Sequence, residues 1–169
     1  MDNFLELCRR RRSIRNYADR AVEKDKLDRI LQCALMSPSG KRMNPWEFYV
    51  TDNRALIGRL QSCKQAGATM LKTAPVVVAV ALDTSLIDTW QADGAIAAQN
   101  ILLAAEDEGL GACWCHVYQR DEAEQVVHRE MGIPAHLTVL CLISIGYKNE
   151  ERRQYELEKL NYQKVHFVS

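Results

Sequence analysis

The run PVVVAVAL at residues 75–82 limits the possible folds more than any other stretch of this 169-residue chain. A continuous β-branched run leaves no polar face for water, so it reads as a strand buried on both sides. LTVLCLISIGY (137–147) is the most hydrophobic strand candidate, and WEFYVT (46–51) and ACWCHVY (112–118) bring the expected number to about four. Leu27, Ile30, Leu31, Ala34 and Leu35 fall at helical spacing, which predicts a helix over about 24–36 that stops at SPSG. Further helices are expected over about 3–9, 53–64, 88–109 and 121–131, the last two ended by Gly109 with Gly111 and by Gly132 with Pro134. The 88–109 helix carries alanine at 92, 95, 97, 98, 104 and 105, so several of its faces can approach neighbours closely. With no repeat, low-complexity segment or internal linker, the order predicts one α+β domain over 1–169, with helices layered against the sheet.

Charge narrows the function. The 22 basic and 22 acidic side chains cancel, which argues against a general nucleic-acid or membrane-surface binder, because such proteins carry a broad basic excess. No stretch approaches the roughly 18 uninterrupted apolar residues of a membrane span, and MDNFLELCRR lacks the apolar core of a leader, so a cytoplasmic protein is expected. The six cysteines form no CxxC pair and read as reduced thiols.

The basic charge is concentrated instead in CRRRRSIRNY (8–17), after a short helix and before a turn-forming NYADR, which places the run on a loop or first turn. Arginine's planar fork offers a phosphate two parallel hydrogen bonds and a neighbouring serine adds another, so R-R-S-x-R suits one phosphate group. SPSGKRMNPWEF (37–48) then joins a helix to a strand through Pro38, Gly40 and Pro45, and presents Ser39 and Asn44 as hydrogen-bonding groups for a heteroaromatic edge or a ribityl-type chain. Cys113, Cys115 and His116 have a C-x-C-H look, but alternate strand residues share a face, so the cysteines point one way and His116 the other, and no metal is expected.

Taken together and in order, RRSIRNY, SPSG with NPWEF, D-G-A-x-A-A-Q-N-x-L-L-A-A (93–105), GLGACW (109–114) and IGY (145–147) resemble the nitroreductase family of flavin enzymes over nearly the whole chain. The resemblance implies an FMN-binding α+β fold with a mostly antiparallel sheet of four to five strands, and an intertwined homodimer with flavin sites at the subunit interface. It implies Arg11, Arg12 and Ser13 at the FMN phosphate and Arg15 at the flavin pyrimidine, where a fixed cation favours the reduced cofactor. Pro38, Ser39 and Gly40 would line one side of the flavin with Asn44 near it and Trp46 in the core. The strand residues Cys115, His116 and Val117 would bring a backbone amide near the reactive central-ring nitrogen.

His116 stands where many relatives have a small residue, so it could narrow the pocket, donate a proton or only pack. After the IGY strand, Arg153 or Arg152 is the candidate to return to the phosphate, or equally a solvated partner of Glu150 and Glu151, and the ELEKLNYQKVHF tail resembles tails that lie across a partner subunit. The implied activity is hydride transfer from NADH or NADPH through FMN to a nitroaromatic, quinone or other electron-poor small molecule in alternating half-reactions. A non-turnover FMN carrier or sensor is the alternative, and a colourless RNA- or anion-binding module built on Arg9 to Arg12 is a second rival.

Overall fold

A computed structural model of the chain describes residues 4–64 and 66–168. Five helices, α1 (Phe4–Arg10), α2 (Lys24–Leu35), α3 (Arg54–Leu60), α4 (Trp90–Asp107) and α5 (Asp121–Met131), surround strands β1 (Trp46–Thr51), β2 (Val76–Asp83), β3 (Gly111–His116) and β4 (Leu137–Gly146). The strands form one antiparallel sheet in the order β1-β2-β4-β3, which puts the two continuous hydrophobic runs at its centre. The architecture is α+β, as the element order predicts.

Period-two alternation in β2 sorts its side chains into two cores. Val77, Ala79 and Ala81 face one layer with Cys113, Cys115, Ile57, Leu60 and Val127, under α3 and α5. Val76, Val78, Val80 and Leu82 face the other with Ile30, Ala98, Ile101 and Ile143, under α2 and α4. Both faces are therefore covered, which is why β2 is apolar from Val76 to Leu82 and polar only at its last residue, Asp83. The alanines of α4 do what their distribution predicts: Ala97, Ala98 and Ala105 are wholly buried, and Gly94 leaves room for Leu82 and Leu140 beneath the helix.

The expected element ends shift for local reasons. Asn53 stands outside α3 and caps it, its Oδ1 accepting from the Ala55 and Leu56 amides, and the last expected turn tightens into a 3-10 turn at Gln61–Cys63. β3 stops before the expected 118 because Leu140 is an extra residue in β4, a bulge whose carbonyl accepts both the Val117 and Tyr118 amides. Part of the arginine run is helical rather than loop: Arg9 and Arg10 close α1, and the extended segment begins at Arg11. Residue 3 of the first expected helix lies outside the described residues. The polar tail forms only short 3-10 turns at Leu157–Lys159 and Tyr162–Lys164, and exposes Tyr162, Phe167 and Val168. Among the described residues no helix is long and apolar enough to cross a membrane.

Candidate functional site

Residues 11–18 form an arm that crosses one end of the sheet. Ser13 bridges in parallel to Ala112, the Ile14 amide donates to the Ala112 carbonyl at 3.1 Å, and Tyr17 bridges to Lys148. The arm can lie this close because the strand residues beneath it are glycines: a Cβ on Gly111 would stand 2.7 Å from Ile14, and one on Gly146 would stand 3.0 Å from Tyr17 and 2.5 Å from Pro75. Gly111 of GLGACW thus makes room for the arm, and Gly146 of IGY makes room for Pro75 and for Tyr17 of the arm. Tyr17 locks it from inside, its hydroxyl donating to the Ile14 carbonyl at 2.6 Å and meeting Ser144 Oγ at 2.7 Å. Burial pushes that phenol's pKa well up, against the opposing effect of Ser144.

The cations of the arm fall into two groups. Arg12 donates to the Arg153 carbonyl at 2.9 Å and stacks over the Tyr155 ring, while Arg9 donates to the Tyr155 carbonyl, so these two hold the tail. Arg11 and Arg15 make no ion pair among the described residues. Ser13 presents its hydroxyl to the Cys113 thiol, whose pKa is raised by burial. A cleft of about 590 Å³ lies beside the arm, lined by Arg10, Arg12, Ile14 and residues 148–152. Arg152 is in that lining, paired with Glu150 at 2.6 Å; Arg153 turns its carbonyl to Arg12 and is not. Two residues of that lining, Arg10 and Lys148, belong to a buried ion cluster that sequence reasoning missed. Glu106 is 6% exposed, both its carboxylate oxygens accept from Lys148 Nζ at 2.7 and 2.8 Å, and Arg10 Nε lies 3.7 Å away.

β3 is the edge strand next to the arm. In its antiparallel ladder with β4 the hydrogen-bonding direction alternates. Val117 donates to Leu140, so Cys115 and Val117 direct their amides toward β4, whereas Ala112, Trp114 and His116 direct theirs to the open edge. Ala112 is used by Ile14. Of the three expected contributors, then, Cys115 and Val117 are buried and turned inward, and His116 alone has an outward amide and an exposed side chain. The His116 ring stacks on Trp114 at 6.3 Å, and its pKa is lowered by burial and then by Lys64 and Arg120, so the neutral imidazole is favoured. On the other face Cys115 meets Cys63: the hydrogen bond from Cys115 lowers the Cys63 pKa while the Cys115 pKa rises.

The 37–44 loop is built by α4 at the opposite end. The Gly40 amide donates to both oxygens of buried Asp93, at 3.1 and 3.2 Å, and Asn100 donates to Ser37 Oγ at 2.8 Å. These are the D and N of the D-G-A-x-A-A-Q-N motif, and neither was assigned a role from sequence. Gly40 is required there, since a Cβ would meet Ile87 at 2.5 Å and Thr89 at 2.7 Å. Ser39 and Asn44 use their side chains on each other: Ser39 Oγ donates to Asn44 Oδ1 at 2.7 Å and accepts from the Asn44 amide at 3.0 Å. Lys41, Arg42 and Asn44 all have positive φ, of 52°, 58° and 45°. Pro38 precedes the pair, and Trp46, 7% exposed, is in the core.

A single chain does not bring its candidate residues together. Gly40 is docked on Asp93 and Arg10 on Glu106, 13 residues apart on α4 or about 20 Å at 1.5 Å per residue. The loop also leads into β1, the sheet edge opposite β3. The arm, the cleft and the β3 edge lie together in one place, and the 37–44 loop lies in another.

The profile of the nitroreductase family matches residues 8–65 and 60–147. The chain belongs to the nitroreductase family. It is 40% identical over 151 residues to a Methanothermobacter thermautotrophicus protein provisionally named as an NADH dehydrogenase/NAD(P)H nitroreductase, covering 88% of this chain and 78% of that one. A solved structure described as an FMN-dependent nitroreductase from Clostridium difficile R20291 superposes with a TM-score of 0.94 at 40% identity, covering 98% of this chain and 99% of that one. A nitroreductase with bound FMN from Desulfitobacterium hafniense DCB-2 shares the fold, with a TM-score of 0.82 at 19% identity over the full length of both chains.

Proposed function

We propose that this nitroreductase-family oxidoreductase uses FMN, takes hydride from NADH or NADPH and passes it to an electron-poor acceptor such as a nitroaromatic or quinone. The observation that carries the reading is the arm itself. It is pinned over Gly111 and Gly146 along the open edge of β3, and among the described residues its Arg11 and Arg15 side chains make no ion pair. Such cations, with Ser13 and the Arg12 and Arg152 side chains at the cleft, fit a phosphate monoester and an electron-rich ring edge. The solved relatives named above, one FMN-dependent and one with bound FMN, support the same cofactor.

FMN supplies reversible two-electron chemistry when bound; the protein supplies position and field. Arg11, Arg12, Ser13 and Arg152 hold the phosphate, with Arg153 as the alternative basic residue there. Arg15 faces the pyrimidine and favours the charge that reduction places on it. The outward His116 amide meets the ring edge, and the neutral His116 side chain borders the acceptor pocket, where it can donate a hydrogen bond without adding charge. Trp114 stacks behind it.

The separation of about 20 Å along α4 supports a homodimer in which Pro38, Ser39, Gly40 and Asn44 of one subunit complete the site begun by the arm of the other. The exposed apolar tail side chains Tyr162, Phe167 and Val168 support the same assembly, lying across the partner. Heterodimer complementation tests it. Chains carrying Arg15→Gln are mixed with chains carrying Asn44→Ala and Ser39→Ala, and NADH-driven flavin reduction is measured. In a split site each heterodimer contains one site with both halves intact and recovers activity, whereas a site built within one chain recovers none.

A further inference from the structure

Glu150 belongs to none of the segments that carry the family resemblance, yet it anchors the arm. Its Oε1 accepts from the backbone amides of Arg15 and Asn16, the latter at 3.2 Å, and its Oε2 pairs with Arg152 at 2.6 Å. Burial would raise this carboxyl's pKa; the two amides and Arg152 outweigh it and hold the pKa down, so Glu150 is an anion at neutral pH. The residues that follow have other anchors: Asn149 N donates to Asn16 O at 3.0 Å, Tyr17 N to Thr73 Oγ1 at 3.0 Å and Ala18 N to Tyr147 O at 2.9 Å. On the other side, Ser13 and Ile14 are held by Ala112. Between these two ladders stands Arg15, exposed and with no side-chain ion pair among the described residues. Two consecutive amides converging on one oxygen make a nest for an anion, and here an internal carboxylate fills it. Glu150 therefore grips the peptide from which the Arg15 side chain projects. Arg152 takes up the other carboxylate oxygen, which leaves the positive field of Arg15 unspent.

We propose that Glu150 is a positioning residue that aims Arg15 at the flavin pyrimidine and thereby raises the reduction potential of the bound cofactor. The proposal rests on the FMN reading above. It has a sign that a merely electrostatic or structural role lacks. Deleting a carboxylate near a flavin would by itself ease the build-up of negative charge and raise the potential, whereas loss of Arg15's aim lowers it.

The test is a double-mutant cycle with the two-electron midpoint potential of FMN-reconstituted protein as readout, using wild type, Arg15→Gln, Glu150→Ala and the double variant. Glu150→Ala is expected to weaken binding of reduced FMN about tenfold more than oxidised FMN, a fall of about 30 mV for a two-electron couple. Arg15→Gln lowers the potential at least as far, and the double variant lies no lower than Arg15→Gln alone. Glu150→Gln, which keeps an acceptor oxygen, falls between wild type and Glu150→Ala, and it makes the same comparison if the alanine variant does not fold. A potential unchanged or raised in the Glu150 variants overturns the proposal, as does a full addition of the two losses. If wild type and Arg15→Gln share one potential, the role of Arg15 fails first and takes this inference with it. Independently of flavin, amide hydrogen exchange at Arg15 and Asn16 speeds up in apo Glu150→Ala while Ala18 stays protected; equal exchange in wild type and variant overturns the anchor.

Discussion

The backbone amide of Gly40 donates to both carboxylate oxygens of Asp93, at 3.1 and 3.2 Å, so a buried charge on the longest helix holds the turn between α2 and β1. Replacing Asp93 with alanine leaves that amide without its charged acceptor, a loss of about 2 kcal/mol for a hydrogen bond to an ion. For a chain of this length the expected drop in Tm is about 4–8 °C, read by calorimetry.

Gly111 and Gly58 make opposite predictions from one chemical change. A methyl group at Gly58, in α3, meets nothing within 4 Å, so Gly58→Ala gains about 0.5–1 kcal/mol of helix propensity. The same change at Gly111 drives into Ile14 at 2.7 Å and costs about 1–3 kcal/mol of overpacking. It also lifts the arm, so FMN binding weakens in Gly111→Ala and stays at the wild-type level in Gly58→Ala. Urea unfolding and flavin titration separate the two effects.

The Glu106 cluster predicts an asymmetry. Lys148→Met leaves a buried carboxylate with only Arg10, at 3.7 Å, and costs about 3 kcal/mol, because an uncompensated buried charge is worse than none. Adding Glu106→Gln to Lys148→Met restores much of the stability. Chemical denaturation of the single and double variants measures the coupling.

His116 gives a pH prediction. Burial, then Lys64 and Arg120, lower its pKa, so the unfolded chain binds a proton at His116 more readily than the fold does. Stability from this group is fully present above the ordinary histidine pKa of about 6.5 and declines as pH falls from there through the lowered folded value. NMR titration should place the folded His116 below 6.5, and Lys64→Gln or Arg120→Gln should move it upward.

Sequence patterning exposes the fold because its determinants are local. A continuous Val and Ala run at 76–81 can only be a central strand between two covered faces, and the alanines of α4 announce close packing on several sides. The arm is legible in part: R-R-S-x-R names its cations, whereas Gly111 reads in sequence as the end of a helix and only the fold shows that it makes room for Ile14. Other parts of the site depend on tertiary geometry. Strand alternation sets the His116 side chain apart from Cys115 in sequence, but which amides of β3 face outward depends on the ladder phase and on the Leu140 bulge, so only the fold shows that His116 is the open one. The pairing of Arg152 with nearby Glu150 is open to sequence reading, but Glu106 and Lys148 resemble solvated charges, and only the fold brings Glu106 against Lys148 and Arg10 and Glu150 against the Arg15 amide. Whether Arg152 or Arg153 lines the cleft is likewise set by the fold, which puts Arg152 there and turns the Arg153 carbonyl to Arg12.

The central claim is that this arm and edge bind FMN and pass electrons from a nicotinamide donor. It is tested most directly by the visible spectrum of FMN-reconstituted protein during anaerobic addition of NADH and then NADPH. The account predicts one bound flavin per chain whose absorption bleaches on addition of at least one of the two donors, with binding lost in Arg11→Gln/Arg15→Gln. Flavin that binds yet stays oxidised with both donors contradicts the enzyme reading and leaves a carrier or sensor; failure to bind FMN at all contradicts the site itself.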